Sequence, residues 1–319
     1  MISADRKCIH YLIILMCCLT VTITSPARAE IHPDNPKQMT FFQATVLGLV
    51  EGLTEYLPIS STGHLLLARD LLGMDSLTSD MGDSARAMDA INAYLVVIQF
   101  GAILAILVIC AHRFKRILLG IFKGDTEGRR LLSNLVLALL PAIIIGLILE
   151  GTIKQFLFGI YPVILAWFVG GVAILVIAFI FKSKQIEVHQ GKAIEDITVK
   201  MALMIGLAQC LAMWPGVSRS LATILGGLFL GLSMQATVEF SFLLGAVTLS
   251  AASVYDVLKH GQDMFAMFDV GSMLLGLVVA FGAAILSVKW MIGYLNKYGL
   301  ELFGYYRMVI ATAAFWYFV

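Results

Sequence analysis

With 319 residues, 60% of them hydrophobic and only 13% charged, the chain cannot hide its apolar surface in one water-soluble core. A soluble domain carries about 25% charged residues, so lipid has to be the solvent here. The net charge of +1 leaves no basic footprint for a nucleic-acid partner. The five cysteines, Cys8, Cys17, Cys18, Cys110 and Cys210, stand at no metal-ligand spacing and read as small buried hydrophobes.

At the N-terminus, Arg6 and Lys7 precede an apolar run from Tyr11 to about Val21, and Ala27-Arg28-Ala29 follows. This is the pattern of a secretory signal peptide over residues 1–29, with Glu30 the first residue after cleavage. An uncleaved extension is the alternative, although the run is short against the roughly 20 apolar residues of a span.

Residues 40–72 are apolar but interrupted by Glu51, Glu55, Pro58, a Ser-Ser-Thr-Gly cluster and His64. Three clean spans follow, near 91–111, 131–149 and 160–181. Residues 200–231 repeat the interruption with Pro215, Gly216 and Arg219, and three more spans follow near 236–256, 271–291 and 301–318. Twelve Lys and Arg residues lie after the first, third and fifth spans, from Arg113 to Lys297, against Arg86, Lys154 and Lys259 on the opposite side. By the positive-inside rule both termini face outward, and Trp290 with Phe315-Trp316-Tyr317 supplies interfacial aromatics.

The interrupted stretches must enter and leave the membrane on one side, as re-entrant helical hairpins. Shifted by 158 positions, Gly48-Leu49-Val50-Glu51 lies on Gly206-Leu207-Ala208-Gln209, and Ser60-Ser61 on Ser218-Arg219. The expected fold is an all-α integral membrane protein of six transmembrane helices and two re-entrant hairpins. These form an inverted-topology repeat over about 40–181 and 200–319, within a single membrane domain at 40–319.

Glu51 and Glu55 are four apart, so in a helix their carboxylates share one face. No Lys or Arg between Met39 and Ala68 neutralises them, so they call for a proton or a hard cation such as Mg²⁺ or Ca²⁺. Pro58 breaks the first helix, and Ser60, Ser61 and Thr62 open the next, whose free N–H groups suit an anion. One of these serines can act as a nucleophile, with His64 as its base or orienter. Arg219 is the only charged residue from Met201 to Gly231. It needs an anion, and phosphate fits its planar fork, with Ser218, Ser220 and Thr223 as further donors. An internal bridge from Arg219 to Glu51 or Glu55 is the competing reading.

At Glu51-Gly-Leu-Thr-Glu55-Tyr-Leu-Pro-Ile-Ser-Ser-Thr-Gly-His64 and Pro215-Gly-Val-Ser-Arg-Ser220 with Thr223, the chain resembles the undecaprenyl-diphosphatase family, also called the bacitracin-resistance protein family. The resemblance covers roughly residues 40–319. It implies a polyprenyl diphosphate lipid as substrate: C55-isoprenyl diphosphate loses its terminal phosphate, and the monophosphate carrier returns to cell-wall assembly. It further implies divalent-cation dependence and a site reached from the periplasmic face of the bacterial inner membrane. On the matching positions it puts cation binding or acid–base work on Glu51 and Glu55, and attack on Ser61, with His64 the alternative nucleophile or base. Arg219 would hold the diphosphate, helped by Ser60, Thr62, Ser218, Ser220 and Thr223. Water attack stays open, and a homodimer is compatible with the architecture. The chain departs from the family pattern at Leu221, where glycine is usual, and at Val247, where a proline is common.

Two rivals share some of these features. The other membrane lipid-phosphatase superfamily needs a histidine about six residues beyond its Ser-Arg, and Ser220 to Gly226 contains none. A transporter or flippase of polyprenyl phosphate lipids would also use inverted repeats with broken helices.

Overall fold

The computed structural model describes residues 39–74, 84–183 and 190–319. The expected signal segment at residues 1–29 lies outside them. The described residues form an all-α bundle. Its first half contains α1 (Phe41–Thr54), α2 (Ser61–Leu71), α3 (Ser84–Ile109), α4 (Ala111–Lys123), α5 (Thr126–Leu157) and α6 (Ile160–Ser183). The second contains α7 (Val199–Cys210), α8 (Arg219–Phe229), α9 (Met234–Met267), α10 (Val270–Tyr298) and α11 (Glu301–Phe318). Among the described residues, five segments are long and apolar enough to cross a membrane: Ile91–Ile109, Thr126–Leu149, Ile160–Ser183, Met234–Tyr255 and Val270–Tyr298. The sixth expected span forms α11, an 18-residue helix that carries Glu301 and Arg307 and is not among these five.

Both interrupted stretches are broken helices. A capping box starts α1: Gln43 N donates to Thr40 Oγ1 at 3.2 Å, and Thr40 N donates back to the Gln43 side chain at 2.9 Å. Pro58 follows its end, and α2 restarts after Ser60. In the second stretch Thr198 caps α7, Trp214-Pro215-Gly216 breaks it, and α8 restarts after Ser218. Ser60 and Ser218 are the non-glycine residues with positive φ among those described, at 72° and 77°. Side-chain-bearing residues avoid this region, and a strained conformation persists only where its surroundings demand it. Its recurrence 158 positions apart shows that both breaks have the same geometry.

The packing repeats in the same way. Helix α1 lies along α10, and α7 lies along α5, while α3 packs on α9 and α6 on α11. This is the pattern that a two-fold exchange of halves produces. Gly48 lets α1 approach Gly276 O of α10, and Gly206 lets α7 approach Ala138 O of α5; a Cβ at either glycine would fall on that carbonyl oxygen. Close backbone approach through small residues is how membrane helices associate without a hydrophobic drive between them. At Val247, where the sequence resemblance led to the expectation of a proline, α9 runs without interruption from Met234 to Met267.

The basic stretch after the first span, expected as a loop, forms the amphipathic helix α4. Ile117 and Gly120 are buried, whereas Leu118, Ile121 and Phe122 are exposed. Arg113 ties α4 to Glu239 of α9 at 2.8 Å and also bonds Glu195, whose carboxyl it holds below the usual carboxylate value.

Valine at either Gly48 or Gly206 should overpack its helix pair and cost about 1–3 kcal/mol or more. Gly282→Ala, with open space beyond it, should leave stability unchanged or slightly raised. Thermal unfolding in detergent checks this, and a Gly48→Val protein as stable as the parent would contradict the close approach.

Candidate functional site

The two breaks meet at the centre of the bundle, where four carbonyls of the first accept from side chains of four helices. Leu57 O accepts from Ser220 Oγ at 2.8 Å, and Pro58 O from Arg307 Nη1 at 3.3 Å. Ile59 O accepts from Trp167 Nε1 at 3.0 Å, and Ser60 O from His64 Nδ1 at 2.7 Å. Leu57 O also accepts from Ile59 N at 2.8 Å and Ser60 O from His64 N at 3.4 Å, so these four consecutive carbonyls at the break are all satisfied within the protein.

Glu55 joins the two hairpins. One carboxylate oxygen accepts from Arg219 Nη2 at 2.8 Å, and the other accepts a short hydrogen bond from Ser61 Oγ. Arg219 opens α8, with its guanidinium against Gly245, where a Cβ would fall on it, and 5.8 Å from the Tyr56 ring centroid. Its Nη1 is buried and has no hydrogen-bond partner. The internal bridge is therefore present, and it leaves half of the guanidinium fork free for a further anion.

Glu51 sits one turn before Glu55 and is fully buried, with neither carboxylate oxygen hydrogen-bonded. A bare carboxylate in such a place needs a proton or a cation. Among the described residues no group of three His, Cys, Asp or Glu side chains is arranged to hold a metal ion. Two carboxylates cannot fill the shell of a hard cation, but they suit one whose remaining ligands are phosphate oxygens and water. The orphaned oxygens of Glu51 beside Glu55 thus fit a cation that arrives with an anionic ligand.

His64 does not pair with Ser61. Its Nδ1 donates to Ser60 O, so Nε2 of the neutral ring accepts from Tyr306 Oη at 2.8 Å. The ring stacks on Tyr306 and leans on Trp167, with centroids 5.7 Å and 5.0 Å away. The pull toward the Ser60 carbonyl explains the missing Ser–His bond, and Glu55 takes the place beside the Ser61 hydroxyl.

The expected phosphate donors divide. Thr62 is exposed on the first turn of α2, and Ser60 offers no side-chain cap there. Ser218 and Ser220 are buried, bond each other at 3.0 Å and turn toward Leu57 O. Ser218 also caps Leu221 N, so the amide at this departure from the family pattern is already engaged. Thr223 Oγ1 lies 2.9 Å from Arg219 O and 2.6 Å from Ser241 Oγ. These three hydroxyls hold the second hairpin in shape. Tyr306, Arg307 and Trp167 are the contributors that sequence reasoning missed. For Arg307 a signal existed, since it is the only basic residue in the last apolar segment.

The model of the bacitracin resistance protein BacA family matches residues 44–313. The chain is 40% identical over 280 residues to an undecaprenyl-diphosphatase of Sorangium cellulosum, covering 87% of this chain and 86% of that protein. It is 40% identical over 270 residues to the undecaprenyl-diphosphatase of Nitrosomonas europaea, covering 85% and 92%. A third undecaprenyl-diphosphatase, from Acinetobacter baumannii, is 41% identical over 270 residues, covering 85% and 93%.

The two glutamates should respond differently when neutralised. In chelator, Glu51→Gln breaks no ion pair and removes a carboxylate from beside Glu55, so it should unfold at or above the parent's temperature. Glu55→Gln strands Arg219 and should lose about 3–5 kcal/mol, the cost of breaking a buried ion pair. Equal losses in detergent unfolding would contradict this assignment of partners.

Proposed function

The chain belongs to the bacitracin resistance protein BacA family, and from that membership and this site we propose that it is an undecaprenyl-diphosphate phosphatase. It is a membrane hydrolase that converts C55-isoprenyl diphosphate to the monophosphate, returns the lipid carrier to peptidoglycan synthesis and confers bacitracin resistance. The observation that carries the site assignment is the Glu55 carboxylate, which holds the Ser61 hydroxyl on one oxygen and Arg219 on the other.

In this reading the terminal phosphate docks against the free Arg219 Nη1 and the uncapped start of α2, where N–H groups and the helix dipole favour an anion. Ser61 Oγ attacks the terminal phosphorus while its proton passes to Glu55. The bond from phosphorus to the bridging oxygen breaks, and the lipid monophosphate leaves. Water then attacks the phosphoserine; Glu55 returns its proton to Oγ as that bond breaks. Phosphate departs, and the second proton of the water goes to solvent. Glu51 and Glu55 would hold Mg²⁺ or Ca²⁺, which when bound neutralises charge on the phosphate oxygens. His64 has both nitrogens engaged, which favours a positioning role over attack.

The basic residues of α4 and the neighbouring loops support a cytoplasmic position for that side. The hairpin α1–α2 then enters from the periplasmic face of the inner membrane, both termini are periplasmic, and the halves are inverted with respect to the bilayer.

Purified protein should release phosphate from C55-isoprenyl diphosphate, which a lipid carrier without hydrolysis would not do. Ser61→Ala and Arg219→Ala should each slow release by about 100-fold or more, and excess chelator should abolish it. Unchanged release by Ser61→Ala would overturn serine attack, and full activity in chelator would overturn the cation role of the glutamates.

A further inference from the structure

We infer that Arg307 is the positioning residue of this site: its guanidinium clamps the two broken hairpins in the register that brings Ser61 and Arg219 to one phosphate. The inference rests on the hydrolase reading above. Arg307 is fully buried in α11, and all its hydrogen bonds go to backbone carbonyls. Nε donates to Trp167 O at 3.3 Å. Nη1 donates to Pro58 O at 3.3 Å and Val217 O at 3.2 Å, bridging one break to the other. Nη2 donates to Gly216 O and to Ala166 O of α6, each at 2.8 Å.

A guanidinium has five N–H donors in a fixed fork, and here all five are used. None remains for substrate, so Arg307 acts through the groups that it holds. Those carbonyls stand next to the chemistry: Pro58 is three residues before Ser61, and Val217 is two before Arg219. Its place on α6 is specific as well, because a Cβ at Gly170 would fall on the guanidinium. A charge this deep without a carboxylate partner is an expensive way to hold helices together. Hydrophobic packing could join α6 to α11, but it could not satisfy carbonyls from two breaks and a helix at once.

Two variants separate positioning from mere stability. Arg307→Lys keeps the charge and loses the fork; Gly170→Ala keeps Arg307 and displaces its guanidinium. With C55-isoprenyl diphosphate, kcat per folded molecule should fall about 100-fold in Arg307→Lys and at least about 10-fold in Gly170→Ala. KM should stay within about 3-fold, because Arg219 still meets the diphosphate. Folded fractions come from thermal unfolding in detergent, and if Arg307→Lys does not fold, Gly170→Ala decides by the same criteria. Unchanged kcat per folded molecule, even with a lower unfolding temperature, would overturn the inference, as would a raised KM at constant kcat. Absence of phosphate release by the unmodified protein would instead sink the hydrolase reading on which the inference stands.

Discussion

A helix that stops inside a bilayer exposes carbonyl and N–H groups that no water reaches, and each unsatisfied group costs several kcal/mol. This bundle contains two helix breaks buried among its apolar helices, and its centre supplies partners for them. The carbonyls of Leu57, Pro58, Ile59 and Ser60 accept from Ser220, Arg307, Trp167 and His64, which come from four different helices. Gly216 and Val217 of the second break turn to the same Arg307. What remains without a side-chain cap is the start of α2 beside Ser61, and free N–H groups at a helix start favour an anion.

The charges follow the same division. Arg307 uses its whole fork on backbone carbonyls, whereas Arg219 bonds Glu55 and keeps Nη1 without a partner. Glu55 is partnered on both oxygens, whereas Glu51 is partnered on neither. The pair thus offers one carboxylate tied to the Ser61 hydroxyl and one that needs a proton or cation. Each hairpin alone carries a costly charge, and the two costs offset only when the hairpins meet.

Much of this was legible in the sequence. The apolar lengths, the two interruptions and the 158-residue correspondence of Gly48 with Gly206 and of Ser60 with Ser218 led to the bundle and its repeat. Glu51, Glu55 and Arg219 stood out because a charge in an apolar run needs a reason. Pairing was not legible. Ser61 and His64 are three apart and suggest a couple, yet the neighbouring Ser60 carbonyl claims the imidazole first. Ser218, Ser220 and Thr223 looked like ligand donors, and the demands of nearby backbone and of Ser241 turned them inward. Helix α4 was missed because its basic residues masked an amphipathic period. Arg307 was hidden by distance, since its partners lie 90 or more residues away and no local pattern announces them.

The central claim is that Glu55 and Arg219 act as one unit across the two hairpins. A double-mutant cycle on kcat/KM for C55-isoprenyl diphosphate, using Glu55→Gln, Arg219→Lys and the double variant, tests it most directly. If the pair is a single device, the double variant should be no slower than the slower single variant, because the first change already disconnects the second group. Losses that multiply, so that the two effects add in free energy, would show that the residues work independently and would contradict the account.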